Sequence, residues 1–229
     1  MKRLLAAGYP RLIQISKCFR AGERGSLHLP EFTMLEWYVA GFDYRQLMEQ
    51  CEEMLKAVAG DSGCGNKITW QGKMINLTAP WERITVGDAF KKYAPVTVEQ
   101  ALIEDNFDEV LTKHIEPNLG VVQPLFLYDY PARLGALAKL KNGNQSVAER
   151  FELYIGGLEI ANGFSELTDE QEQRRRFEEA QKLRAQKGYA ACPLPEKFLA
   201  SLDQLPEAAG IALGIDRLAM LFADKTSID

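Results

Sequence analysis

An acidic residue in the middle of an apolar strand constrains this chain more than any other feature. Residues 32–39 read Phe-Thr-Met-Leu-Glu-Trp-Tyr-Val, and such aromatic and branched side chains belong in a β-strand. Alternation places Phe32, Met34, Glu36 and Tyr38 on one face and Thr33, Leu35, Trp37 and Val39 on the other. Both faces are mainly apolar, so the strand is expected near the centre of a sheet, covered on both sides. A carboxylate there is costly unless it is paired or coordinated. Glu36 is therefore either half of a structural ion pair or part of a pocket floor that waits for a cation. The same conflict recurs at Glu159, set between Leu158 and Ile160, and at Glu166 beyond Asn162-Gly163. Two acids near each other suit a hard divalent cation or a substrate amine, and spacing alone does not choose between these.

The remaining pattern is one of hairpins. Residues 12–19 form a first strand, joined to 32–39 through the Gly-containing loop 21–26. Asp43 caps a helix over 44–58, with Leu47, Cys51, Met54, Leu55 and Val58 on one stripe and Gly60 to close it. Residues 68–70 and 74–77 pair around Gln71-Gly72-Lys73. Thr85 or Asp88 opens a helix through 93, Thr97 opens another, and 106–116 form a further one. Residues 125–131 are a buried strand. A hairpin follows, 149–155 with 158–161 around Gly156-Gly157. Thr168 with Gln171 three residues later is a capping box for a long polar helix ending near Gly188. A short helix follows Pro195. The strand 210–214 then runs straight into a helix opening at Asp216. Strands in hairpins rather than in βαβ alternation predict an antiparallel sheet flanked by helices, an α+β fold.

The chain has 229 residues, 46% of them hydrophobic and 26% charged, enough for one large domain with a sizeable core. Its net charge of −5 argues against a surface built mainly to hold nucleic-acid phosphates. Arg174-Arg175-Arg176 lies among Asp169, Glu170, Glu172, Glu178 and Glu179, and reads as an internally paired, solvated face. No apolar run approaches the roughly 18 residues of a membrane span, and Tyr9-Pro10-Arg11 interrupts any signal-peptide core. Cys18, Cys51, Cys64 and Cys192 lack metal or disulfide spacing and read as reduced thiols of a cytoplasmic protein. Phosphate-loop and GxGxxG fingerprints are absent. Arg20 ends the first strand, and Arg217 stands at the opening of the last helix. A helix N-terminus with an added guanidinium makes a phosphate site plausible; the competing reading pairs Arg217 with Asp216 or another nearby acid. His28 is the histidine nearest these groups.

Taken in order, these segments resemble the class II aminoacyl-tRNA synthetase catalytic core, specifically its lysyl branch. Phe19-Arg20-Ala21-Gly22-Glu23 through His28-Leu29-Pro30-Glu31-Phe32-Thr33-Met34-Leu35-Glu36-Trp37-Tyr38 is similar to motif 2, and Gly210-Ile211-Ala212-Leu213-Gly214-Ile215-Asp216-Arg217-Leu218 to motif 3. Arg150-Phe151-Glu152-Leu153-Tyr154, with Glu159-Ile160-Ala161-Asn162-Gly163-Phe164-Ser165-Glu166-Leu167, resembles the segment that carries the lysine and metal carboxylates. The likeness covers nearly the whole chain. It is greatest to the branch's stand-alone paralogues, which attach β-lysine to a lysine of elongation factor P. The stretch before Glu159 is short, and Ala212 stands where the synthetases typically have Gly.

The resemblance implies ATP-dependent formation of a lysyl or β-lysyl adenylate, with Mg²⁺, followed by transfer to a lysine of elongation factor P. A lysyl-tRNA synthetase core charging transfer RNA and a non-catalytic paralogue are the alternatives. It also implies a homodimer. By motif position Arg20 and Arg217 are catalytic, and ATP is bound by these two with Glu23, His28, Phe32, Glu159, Ile160 and Gly214. Lysine falls to Glu36, Tyr38, Asn162, Glu166 and Ala212, and the metal to Glu159 and Glu166. Three departures stand out. Arg20-Ala21-Gly22-Glu23 replaces Arg-x-Glu, Leu29 replaces an ATP-contacting Asn, and Ser26-Leu27 lacks a basic residue. Motif 1 and its following Ser-Pro-Glu would precede Met1, and the end at Asp229 reads as clipped. The expectation is one catalytic domain, 1–229, without its motif 1 segment and a short C-terminal piece.

Overall fold

A computed structural model describes residues 1–190 and 192–228; Ala191 and Asp229, the latter the expected clipped end, lie outside the described residues. A short helix α1 (Lys2–Ala6) leads into β1 (Arg11–Phe19), which pairs antiparallel with β2 (Glu31–Ala40). Helix α2 (Tyr44–Asp61) follows, then a separate small hairpin of β3 (Lys67–Trp70) and β4 (Lys73–Asn76). Next come β5 (Glu82–Thr85), α3 (Val86–Tyr93), α4 (Val98–Ile103) and α5 (Phe107–Val110). The second half holds β6 (Leu125–Pro131), β7 (Leu140–Lys141), β8 (Asn144–Ile155) and β9 (Leu158–Ser165). Helices α6 (Glu170–Gln186) and α7 (Glu196–Leu199) precede β10 (Ala208–Gly214) and α8 (Ile215–Phe222).

The main sheet has the order β1-β2-β10-β9-β8-β6-β5, with β7 added beside β8. All its pairs are antiparallel except β5 with β6, an α+β arrangement. Its α2 face carries the larger core, in which Trp37, Val39, Ile211, Leu213, Phe151 and Leu153 meet Leu47, Cys51 and Leu55. Asp43 fixes the start of α2: its carboxylate accepts from the amides of Arg45 and Gln46, and the Gln46 side chain accepts from the Asp43 amide at 3.0 Å. A second cluster packs Val86, Phe90, Phe107 and Val110 against Leu125, Leu127 and Tyr154. A third gathers Leu5 with Leu199, Leu202, Leu205 and Ala208.

Several expectations need correction. β2 is paired on both sides but lies second from the sheet edge, and only Trp37 and Val39 are buried; Phe32, Met34, Glu36 and Tyr38 are half-exposed on a face that no helix covers fully. The expected helix over 106–116 runs as α5, then a wide helical turn at Leu111–Ile115 and a tight one at Glu116–Asn118. Pro117 lacks an amide hydrogen and cannot continue an α-helix. The long polar helix is capped by Asp169, which accepts from the Glu172 amide at 3.0 Å, and the Thr168–Gln171 box does not form. Gly60 lies inside α2, which ends at Ser62. The arginine run is paired as expected, Arg175 with Glu172 and Glu179 and Arg174 with Glu170 and Glu196.

Gly163 shows how tightly the α2 face is packed. A Cβ there would lie 2.6 Å from the Phe151 ring and 3.1 Å from the Ile211 Cβ. Gly163→Ala is expected to cost about 1–3 kcal/mol through overpacking, read as a lower urea midpoint; an unchanged midpoint would show the core to be looser.

Candidate functional site

Strand register decides which side chains share the open face. Ala212 on β10 stands opposite Glu36 on β2 and Asn162 on β9, and Asn162 stands opposite Glu152 on β8. The next rung holds Tyr38, Gly210, Phe164 and Arg150. Directly opposed residues point the same way, so two polar rows cross four strands while the intervening residues enter the core. Glu159 joins this face through an irregularity. Between Leu153 and Tyr154, β9 advances two residues against one on β8, the signature of a β-bulge.

A cavity opens at the Gly214 end of this face, where β10 passes into α8. Arg20, Glu23, His28, Phe32, Glu159, Ile160, Gly214 and Arg217 all line it, as do Asn162 and Ala212. The Arg20 guanidinium lies 5.4 Å from the centre of the Phe32 ring and 3.4 Å from Glu23. Arg217 stitches three segments together. It donates to the Glu159 carbonyl at 2.8 Å and the Leu27 carbonyl at 3.4 Å, and its Nη2 is 2.7 Å from His28 Nε2. Burial and the Arg217 charge hold the His28 pKa below its usual value, so a neutral imidazole accepts from the guanidinium. Asp216 does not pair with Arg217; it accepts from the Thr33 amide at 2.5 Å and ties α8 to β2.

Beside the cavity sits a carboxylate that the sequence reading left without a role. Glu152 is buried, and its oxygens accept from Tyr130 at 2.5 Å, Arg150 at 2.6 Å, Tyr154 at 2.7 Å and Asn162 at 3.1 Å. Its sequence signal was the one that flagged Glu36, an acid between Phe151 and Leu153 in an apolar strand. Burial, and then the charge of Glu152, hold the Glu159 carboxyl above the usual range, with Arg217 and Arg150 opposing. Among the described residues no three His, Cys, Asp or Glu side chains gather closely enough to ligate a metal by themselves. Glu159 lines the cavity, whereas Glu152 does not and has both oxygens engaged by donors; Glu159 therefore fits a cation whose other ligands come from a bound molecule, the usual arrangement for Mg²⁺ on a nucleotide.

Glu36, Tyr38 and Glu166 lie outside the cavity lining, further along the same face. Burial, and then the neighbouring Glu166 and Glu36 carboxylates, push the Tyr38 hydroxyl well above its usual pKa. Glu166 is 1% exposed and paired with Lys2 at 2.5 Å. Burial pushes its carboxyl up to about 6 in spite of that cation. Gly210 makes this corner possible, since a Cβ there would meet the Tyr38 ring at 2.4 Å and Glu166 Oε1 at 2.8 Å. Glu159 and Glu166 sit at opposite ends of β9, so the structure does not assemble them into the expected metal pair. The ion-pair partner of the Glu159 carboxylate is Arg217, whose Nη1 lies 3.5 Å from Oε2.

The whole chain, residues 1–229, matches the family described as tRNA synthetases class II (D, K and N). A Proteus mirabilis protein named elongation factor P--(R)-beta-lysine ligase is 40% identical over 232 residues, covering 96% of this chain and 70% of the relative. A Vibrio cholerae protein of the same name is 39% identical over 236 residues, covering 100% and 72%. A lysine--tRNA ligase of Moorella thermoacetica is 38% identical over 250 residues, covering 100% of this chain and 51% of the relative.

The contact between His28 and Arg217 yields a titration test, helped by there being only 2 histidines in the chain. His28 is expected to titrate below the ordinary imidazole value of about 6.5. Arg217→Ala removes a neighbouring positive charge and should move that titration part of the way back up. Proton NMR of the imidazoles, with His114→Gln to assign them, checks this. A His28 titration unmoved by Arg217→Ala would refute the contact.

Proposed function

Because the chain belongs to the class II tRNA synthetases of the D, K and N type, we propose that it activates lysine or β-lysine with ATP and passes the acyl group to a lysine of elongation factor P. The observation that carries this reading is the division of one sheet face into two ends. Arg20, Phe32 and Arg217 line a cavity at one end, and Glu36, Tyr38 and Glu166 crowd negative charge at the other. A lysine isomer laid across Asn162 and Ala212 would direct one of its two ammonium groups to the acidic end and its carboxylate to the arginines. The names of the Proteus and Vibrio relatives support the acceptor.

In the first step a substrate carboxylate oxygen attacks the α-phosphorus of ATP. The bond to the bridging oxygen breaks, and pyrophosphate leaves with the electron pair. The acceptor lysine nitrogen then attacks the acyl carbon, AMP leaves, and the nitrogen gives up a proton. Neither step needs a nucleophile from the protein; positioning and charge neutralisation suffice. Arg20 would hold the α-phosphate, Phe32 would stack on adenine, and Arg217 would cover its other face. Glu23, His28, Ile160 and Gly214 would complete the nucleotide's surroundings. Glu159 would hold Mg²⁺, which when bound neutralises phosphate charge. Glu166 is assigned to the amino acid rather than to the metal. The Ala212 methyl narrows the space for the amino acid's backbone end, which is where the lysine isomers differ.

The Moorella relative supports a second reading in which transfer RNA is the acceptor. A homodimer suits the edge strand β1, where Ile13, Ile15 and Phe19 are 73%, 65% and 71% exposed. A cytoplasmic site of action goes with either acceptor.

ATP–pyrophosphate exchange with each lysine isomer tests the activation step, and labelled acyl transfer to elongation factor P or to transfer RNA separates the two readings. No exchange with either isomer would sink both. Glu166→Gln is expected to abolish amino-acid-dependent exchange while leaving ATP binding within about threefold, since Glu166 lies outside the cavity assigned to the nucleotide. Equal loss of both would reject the assignment of Glu166.

A further inference from the structure

The acidic end of the open face already contains one cation, supplied by the chain itself. Lys2 reaches from α1 to place Nζ 2.5 Å from Glu166 Oε2, with the two side chains 13% and 1% exposed. The same ammonium lies 4.9 Å from the centre of the Phe164 ring. Helix α1 is not free to drift, because Leu5 is 1% exposed in the cluster with Leu199, Leu202, Leu205 and Ala208. Both Glu166 oxygens are buried without a hydrogen bond of regular geometry; Oε2 has the Lys2 ion contact, whereas Oε1 faces the gap over Gly210, beside the Tyr38 ring. A dry, unpaired carboxylate oxygen is costly, and the charged groups next to it on β2, Glu36 through Tyr38, add negative charge rather than relieve it.

We propose that Lys2 is a positioning residue of the amino-acid subsite: it anchors Glu166 through Oε2 so that Oε1 is presented toward Tyr38 for the substrate's ammonium. The inference rests on the proposed reading of Glu36, Tyr38 and Glu166 as the ammonium end. Charge supports it. Glu36 and Glu166 bring two negative charges and Lys2 returns one positive charge, which leaves one unit to meet one incoming ammonium. The neighbouring cations are committed elsewhere. Lys139 is bound to Glu207 at 2.8 Å, and Arg176 donates to the carbonyls of Ala136 and Ala138 and to Glu172. Without Lys2, the Glu166 carboxylate would be left as an unpaired buried charge, free to turn away from Tyr38.

Calorimetric titration of the purified protein with lysine, with β-lysine and, separately, with ATP tests the proposal. Lys2→Met is expected to weaken amino-acid binding about tenfold or more, the scale of a lost charged hydrogen bond, and to leave ATP binding unchanged. Lys2→Arg, which keeps the cation, should restore most of the affinity. Amino-acid binding that is unchanged in Lys2→Met overturns the proposal. So does tighter binding, which would show Lys2 to be a plug in the subsite. Should Lys2→Met lose its cooperative thermal transition, Lys2→Gln against Lys2→Arg carries the same comparison, and equal affinities there overturn it. Glu166→Gln is run alongside. If that variant binds the amino acid like the unsubstituted protein, the reading of the subsite fails; if it loses binding while Lys2→Met does not, the role of Lys2 alone fails.

Discussion

The placement of β10 between β2 and β9 is the constraint on which the site depends. This strand comes last in the chain, yet it sits at the middle of the sheet and bonds to segments far away in sequence. Its alternation does two jobs. Ala209, Ile211 and Leu213 are buried in the core beneath α2, while Gly210, Ala212 and Gly214 leave the opposite surface low. Longer side chains at those three positions would fill the space over the floor. The groups on either side, Glu36 and Tyr38 on β2 and Asn162 and Phe164 on β9, then stand as walls around it.

Electrostatics divides that floor. At the Gly214 end Arg20 and Arg217 supply positive charge, and Arg217 joins the loop at His28 to β9 and α8. At the other end Glu36 and Glu166 crowd against Tyr38, with Lys2 the cation in contact with Glu166. Glu152 and Glu159 lie between and to one side. Glu152 is satisfied by four donors, whereas Glu159 is held above the ordinary carboxylate range by burial and by Glu152. Each has a guanidinium beside it, Arg150 at Glu152 and Arg217 at Glu159, so the cost of burying these two charges is met from within the chain.

Much of this was legible in residue order. The hairpin of β1 and β2, the cap at Asp43 and the passage from β10 into α8 follow from alternation, capping chemistry and glycine placement. The motif likeness also gathered the residues that line the cavity, from Arg20 to Arg217. Where the reading slipped, a local rule met a tertiary one. The expected helix over 106–116 is helical along its length, but it changes pitch at Leu111 and again at Glu116 rather than running as one α-helix. Thr168 with Gln171 matched a capping box, yet Asp169 took the cap. The two-sided apolar pattern of β2 called for cover that the second face lacks, since that face is where a ligand would lie.

The pairing of carboxylates shows the limit most clearly. Side-chain identity and strand alternation determined that Glu36, Glu152, Glu159 and Glu166 would be acids in apolar strands, and hence expensive. They did not determine what each acid meets. By alternation alone Glu159 and Asn162 fall on opposite faces of β9, and only the bulge beside Tyr154 turns both to the open face. Glu159 then meets Arg217 from the last helix, while Glu166, just past the far end of β9, meets Lys2 from a helix at the start of the chain. A sequence carries the cost of burying a charge; the register and the bulge, set by hydrogen bonds between distant strands, decide who relieves it.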